Sequence, residues 1–286
     1  MRLSKITDKA ATIFFWVAGI SIIVILAWFL VQILGGGVSH LSWSFITGKP
    51  SESAAGGGVG PQLFNSFYIL FLSLLVSLPI GISAGIYMAI YARNNKFTDI
   101  IRISVEALSS VPSIVLGLFG ALLFVNIMGW GFSIKAGAAT LALLNLPILV
   151  RITEQSIRAV PQSYWEASLA LGSTKWQAIR KVLIPSSLPG LITGITLVSG
   201  RALGETAILI YTAGTSVSRQ FPDVGLKKMG ETLAVHLWYV GGSSLAPDAA
   251  EIAKGSAALL IIVVLVFNLL IALPSRMISK RLTGGK

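Results

Sequence analysis

Four long stretches of this chain carry no charged side chain at all: residues 10–48, 53–92, 107–134 and 255–275. About 18 consecutive apolar residues suffice to cross the hydrocarbon of a bilayer, and no soluble core needs several such runs. Inside lipid the backbone must satisfy its own hydrogen bonds, so each run reads as a helix. Composition agrees, with 54% hydrophobic and 12% charged residues, against about 25% charged in an average soluble domain. The expected fold is an all-α integral membrane protein.

Six transmembrane helices are expected, over about residues 10–34, 63–91, 103–128, 134–150, 188–212 and 257–273. The first follows Arg2, Lys5 and Lys9 and is too long for a cleaved signal core, so it reads as a retained span. Pro79 and Pro112 fall in the second and third runs, Pro147 and Pro189 in the fourth and fifth; none is assigned as a hinge. Gly129-Trp130-Gly131 is a turn, and Lys135 begins the fourth run with a stem long enough to reach the interface. With the N-terminus inside, fifteen of the 22 basic residues fall on inner segments, which predicts both termini in the cytoplasm. Residues 1–9 are then a cytoplasmic N-terminus. Residues 10–286 form one membrane domain, with an inner loop at about 151–185 and an outer loop at about 213–254.

Three glycine pairs, Gly81/Gly85, Gly190/Gly194 and Gly200/Gly204, predict close helix contacts inside the subunit or with a partner. Cysteine is absent, which removes disulfides and thiolate metal sites, and only His40 and His236 are present. No metal site is expected. No Gly-x-x-x-x-Gly-Lys-Ser/Thr loop, His-Glu-x-x-His or Gly-x-Ser-x-Gly occurs, so neither ATP hydrolysis nor another catalytic role is expected of this chain. The +11 charge follows from the inner loops, and no nucleic-acid partner is expected. Both histidines are expected on the outer side as surface residues. Residues 227–239 read as an amphipathic interfacial helix with Trp238 and Tyr239 as belt aromatics.

The inner loop holds more information. Pro161 fits a first helical position, and Ser163-x-x-Glu166 offers a capping box one register later. Tyr164, Ala167, Leu169, Ala170 and Leu171 give a short apolar side that Gly172 ends. Thr174-x-x-Gln177 caps a second helix with Trp176, Ile179, Val182 and Leu183, and Pro185 stops or kinks it. This helix–Gly–helix is either a self-packed loop or a docking element for a cytoplasmic partner. The aromatics Tyr164, Trp165 and Trp176 are the type of anchor that interfaces use.

Glu166-Ala167-Ser168, with Gly172 six residues after Glu166 and Ile184-Pro185 closing the segment, resembles the coupling motif of ATP-binding-cassette importer permeases. Ser168 stands where that pattern has a second alanine. The resemblance implies a type I importer permease bundle of six helices. It implies that Glu166, Ala167, Ser168 and Gly172, flanked by Tyr164, Trp165 and Trp176, meet an ATP-binding subunit. The segment from Ser199 to Ala207 resembles the Ser-Arg-Ala-x-Gly-Glu-Thr stretch of phosphate permeases, with Gly200 added between serine and arginine. Thr232–His236 and Gly57–Pro61 look like the A-type subunit of that family. The implied function is import of inorganic phosphate across a bacterial or archaeal cell membrane. The implied partners are a second permease subunit in a heterodimer, a dimer of ATP-binding subunits that hold ATP and Mg, an extracytoplasmic phosphate-binding protein, and membrane lipid. No cofactor is implied for this chain itself.

Arg201 and Glu205 are four residues apart and on a helix would share one face, near the middle of the fifth span. Each charge at that depth costs about 2.5–3.5 kcal/mol, so the two either neutralise each other and lock helices, or line a polar path. Arginine's planar fork suits a phosphate oxygen. Glu205 is placed to accept the proton that phosphate still carries near its second pKa of about 6–7, which sulfate lacks. Glu106 reads first as an interfacial carboxylate and second as a path residue. Ser109, Ser110 and Ser113 either donate to an anion or bond back to the preceding turn. The alternatives are a permease for sulfate, molybdate or a phosphonate, and a signalling or structural membrane subunit without transport. A membrane enzyme is the weakest reading.

Overall fold

A computed structural model describes residues 2–51, 55–93, 95–217, 221–243 and 246–282, with side chains from Thr7 to Leu273. Arg219 and Lys286, and the side chains of Arg2, Lys5, Arg276, Lys280 and Arg281, lie outside the described residues. The described residues are helical or irregular, without a strand. The order is α1 (Arg2–Gly37), α2 (Trp43–Thr47), α3 (Gly60–Ile86), α4 (Lys96–Ser109), α5 (Ser113–Gly120) and α6 (Ile134–Arg158). There follow α7 (Gln162–Ala170), α8 (Lys175–Ala178), α9 (Ile184–Leu203), α10 (Ala207–Thr212), α11 (Leu233–Ser243) and α12 (Ala249–Leu282). Wide π-turns extend α3 to Tyr91 and α5 to Ile127, and a third, Ile179–Leu183, welds α8 to α9.

Five helical segments are long and apolar enough to cross a membrane, and α4 with α5 makes a sixth if the bent pair is counted as one span. This is a multi-pass membrane protein. The third span is not the single run expected from hydropathy, because α4 and α5 meet at 95°. Local chemistry explains the elbow. Pro112 has no N–H and disfavours a helical Val111 before it, while Ser109 and Ser110 turn their hydroxyls back onto the carbonyls of Glu106 and Ala107. Along α4 the apolar side chains Phe97, Ile100 and Ile103 stay exposed and only Thr98 is buried.

The bundle is built around α6, which is buried on nearly every side. A Cβ at Gly81 would lie 2.7 Å from Leu149, and one at Gly85 only 2.4 Å from Thr153, so α3 presses its backbone onto α6. On the other flank, Gly190 and Gly194 would meet Ser156 and Ile152 at 2.4 Å. Two of the three glycine pairs therefore serve contacts within this subunit. The third divides: Gly200 faces Asn268 of α12, while a Cβ at Gly204 would meet only the Arg201 carbonyl of its own helix, at 3.8 Å. The turn at Gly129 and Gly131 has φ of +64° at both glycines, and Lys135 sits 4.4 Å over the Trp130 ring. By contrast α1 touches α12 near one end, with Gly37 against Lys254 and Ala258, and leaves its side chains from Ile13 to Val31 almost wholly exposed.

Candidate functional site

Two features are separated along the bundle: an unburied loop at the end where α6 finishes, and an arginine at mid-height on α9. The loop begins with Pro161 as the N-cap of α7, one position earlier than expected. The Ser163–Glu166 capping box does not form, because the Gln162 side-chain amide donates to Glu166 at 2.8 Å instead. Gly172 ends the helix at φ +81°, its N–H donating to the Leu169 carbonyl at 2.9 Å and that of Ser173 to Ser168 at 3.3 Å. Any side chain with a Cβ is strained in that conformation. The Thr174–Gln177 capping box is present in both directions. Pro185 does not stop the second helix: the π-turn before it absorbs the missing bond, and the helix continues from Lys175 to Leu203.

No residue of α7 is buried. Tyr164, Glu166, Ala167, Gly172 and Trp176 are exposed, and Leu171 is 89% exposed. This is not a self-packed loop. Trp165 departs from the expected anchors, for it packs inward on Ile157, Ile179 and Leu183 and roots the loop on the bundle. Ser168 is half-buried and shares a 2.7 Å hydrogen bond with the Ser173 hydroxyl, closing the turn.

At mid-height the fifth span breaks. The last residue of α9 is Leu203, Gly204 caps it, and Glu205 and Thr206 are not helical. Arg201 and Glu205 therefore do not share a helix face, contrary to the spacing argument. Glu205 turns inward to 8% exposure, its carboxylate 3.5 Å from the Ile208 N–H at the start of α10. Arg201 faces out, in an exposed stripe with Thr193, Leu197 and Gly204. It has no hydrogen-bond or ion-pair partner among the described residues.

The glycine contacts fix its height. The pairs Gly190–Ser156 and Gly194–Ile152 set an antiparallel register that brings Arg201 level with Asn145, near the middle of α6. The pairs Gly81–Leu149 and Gly85–Thr153 bring Ser77 to the same level. There a polar layer crosses the apolar bundle. Neither amide atom of the fully buried Asn145 has a partner, nor do the hydroxyls of Ser77 and Ser199 or the amide oxygen of Asn268. Sequence reading passed over Asn145, Ser77 and Asn268 and met Ser199 only as part of a resemblance; the available signal was an asparagine in each of two otherwise apolar spans.

The weaker candidates lie elsewhere. Glu106 forms an ion pair with Arg151, Ser109 and Ser110 bond back to their own turn, and Ser113 is a half-buried first residue of α5. No described contact joins them to Arg201. At the opposite end of the bundle α11 starts at Leu233, later than expected, and His236 is buried instead of lying on the surface. Its Nδ1 lies 3.2 Å from Glu231 and from Gln62, and Gln62 donates to Glu231 at 2.9 Å. Among the described residues no group of His, Asp and Glu could hold a metal ion.

Residues 81–284 match the family described as binding-protein-dependent transport system inner membrane component. Among curated proteins, the probable ABC transporter permease protein YqgI of Bacillus subtilis is 49% identical over 98% of this chain and 99% of its own length. The phosphate transport system permease protein PstA of Yersinia pestis is 34% identical, covering 94% of this chain and 88% of its own. Among solved structures, a bacterial alginate ABC transporter in complex with an alginate-bound periplasmic protein has a chain similar in fold. It has a TM-score of 0.66 at 15% identity, over 93% of this chain and 96% of that one. The inward-facing MetNI methionine transporter gives 0.58 at 23% identity, over 77% and 94%. The chain belongs to the binding-protein-dependent transport system inner membrane components and is a non-catalytic permease subunit of an ABC-type importer.

Proposed function

We propose that this permease carries inorganic phosphate, with Arg201 as the cation of its path. One observation supports this above the others: a guanidinium at mid-height in a membrane bundle, exposed and unpaired among the described residues. Lipid at that depth disfavours it. A second permease subunit against the Thr193–Leu197–Arg201 stripe, enclosing a wet path, removes that penalty. The fork of Arg201 then offers parallel donors to two phosphate oxygens. Glu205, turned inward here, meets the protonated oxygen of the cargo only when the break at Gly204 reorients it. Affinity at such a site is modest, because the anion has to leave as well as enter. The relatives named as phosphate permeases support the cargo assignment.

In this reading the basic end faces the cytoplasm, as the excess of Lys and Arg there favours, and both termini lie on that side. The exposed surface of α7, with Tyr164, Glu166, Ala167, Leu171, Gly172 and Trp176, docks one subunit of an ATPase dimer, which holds the ATP and Mg. An extracytoplasmic phosphate-binding protein delivers cargo at the opposite end. Closure of the ATPase dimer displaces the docked loop, and the bundle changes the side to which its path opens.

The test is uptake by vesicles holding the assembled importer. Phosphate is expected to accumulate on ATP addition and to resist competition by sulfate, with Arg201→Ala abolishing uptake while the complex still co-purifies. Full transport in both Arg201→Ala and Arg201→Lys, or uptake of sulfate or molybdate in preference to phosphate, contradicts the assignment.

A further inference from the structure

At the basic end, neither the exposed loop surface nor the Arg201 stripe accounts for an ion network that joins α4 to α6. Glu154 of α6 is 13% exposed and accepts from Arg102 Nε of α4 at 3.0 Å. It also lies 3.1 Å from Arg158 Nη2, one turn further along α6. Arg102 reaches Asp99 at 3.3 Å, Arg158 donates to the Met88 carbonyl beyond α3 at 3.4 Å, and Arg151 pairs with Glu106. Arg102, Glu106, Arg151, Glu154 and Arg158 line a cavity of about 300 Å³ between the two helices.

The packed face of α4 is narrow. Thr98 is buried and Ile101 and Val105 are half-buried, while Phe97, Ile100 and Ile103 face away from the bundle, so the charges add to what little apolar packing attaches it. On one side of the network, α6 ends at Arg158, and the root of the docking loop packs there: Trp165 against Ile157, Ile179 and Leu183. On the other side, α4 turns through the 95° elbow into α5. Helix α5 lies directly on α10, where a Cβ at Gly117 would approach the Ile208 backbone to 3.0 Å. Helix α10 starts at the break that carries Glu205, next to Arg201. Loop, α6 end, α4, α5 and α10 thus form a continuous line of contacts.

We propose that Glu154 is a positioning residue for transport: the Arg102–Glu154–Arg158 clasp makes the α4–α5 arm follow the docking loop. A displacement at α7 then reaches the α9–α10 break and re-aims Arg201. Glutamate suits the task because one carboxylate lies within ion-pair distance of both arginines, and removing its charge leaves two guanidiniums without their shared counter-charge. The inference rests on docking of the ATPase at α7 and is independent of which anion is carried.

The test compares ATP hydrolysis with phosphate uptake in the same vesicles of assembled importer. Glu154→Gln is expected to hydrolyse ATP at close to the parental rate while uptake per ATP falls about fivefold or more, the scale of change known for residues that transmit between sites. The charge-exchanged pair Arg102→Glu with Glu154→Arg is expected to restore part of that ratio. A ratio equal to the parent's, or hydrolysis and uptake falling in proportion, overturns the proposal. If Glu154→Gln does not assemble, Arg102→Gln, which leaves Glu154 with Arg158, is judged by the same ratio.

A second readout does not depend on cargo. The chain has no cysteine, so spin labels at Ile103→Cys and Gln155→Cys report α4–α6 separation alone. That separation is expected to be independent of nucleotide in the parent and to shift on ATP binding in Glu154→Gln. The same narrow distribution in both proteins contradicts the clasp. Parental vesicles that hydrolyse ATP but ignore phosphate count against the cargo instead, and a parental chain that recruits no ATPase counts against docking.

Discussion

The chain uses arginine in two opposite ways. At the basic end, Arg102, Arg151 and Arg158 each meet a carboxylate, and two of these pairs, Arg102–Glu154 and Arg151–Glu106, attach α4 to α6. On α9, Arg201 stands in the open with no partner among the described residues. Composition and local charge do not separate the two settings; geometry does. A guanidinium satisfied within its own subunit is part of the scaffold. One left exposed at mid-height is, in the proposed reading, completed by a group outside the subunit.

The contrast breaks most sharply at Arg201 itself. Replacing it with alanine is expected to cost about 3 kcal/mol of anion stabilisation, or about a hundredfold in uptake, with unfolding of the isolated chain unchanged; vesicle uptake and thermal melting in detergent measure the two. The scaffold gives the reverse pattern. Gly85→Val forces a side chain into Thr153 where the Cβ already lies 2.4 Å away, and should destabilise the bundle by about 1–3 kcal/mol, visible as early thermal unfolding.

Asn145→Leu separates structure from function at one position. Removing a buried amide with no partner is expected to leave stability unchanged or raise it by about 1 kcal/mol, while uptake falls if the polar layer serves the path. The smallest effect belongs to a paired arginine near the surface. Arg151→Ala, losing a half-exposed ion pair with Glu106, should change stability by less than about 1 kcal/mol, and an uptake defect as large as that of Arg201→Ala would erase the distinction between the two settings.

The spans were legible because hydropathy is a sum over many residues: five long apolar helices, with the bent α4–α5 pair as a sixth, lie where the hydropathy reading expects spans. Two loop caps were legible too, since Gly172 at positive φ and the Thr174–Gln177 box depend on neighbours in sequence, whereas the expected Ser163–Glu166 box does not form. Bends and faces were not. The elbow at Ser110–Pro112 keeps its apolar average while turning 95°. Gly204 read as a packing glycine, yet it ends α9, and that single event turns Glu205 away from Arg201. The charged residues 151–158 looked like loop but form the last two turns of α6, because partners on α4 satisfy them. His236 looked superficial; its burial depends on Gln62, more than 170 residues earlier in the chain. Contacts between distant segments leave no local pattern to read.

Leu197, one turn before Arg201 and 61% exposed, offers the most direct test of whether that stripe borders a phosphate path. In the assembled importer, the sole cysteine of Leu197→Cys is expected to react with a charged, water-soluble thiol reagent, and phosphate is expected to slow that reaction while sulfate does not. Modification only by an apolar, membrane-dissolved reagent, at a rate that phosphate leaves unchanged, would place the stripe against lipid and contradict the account.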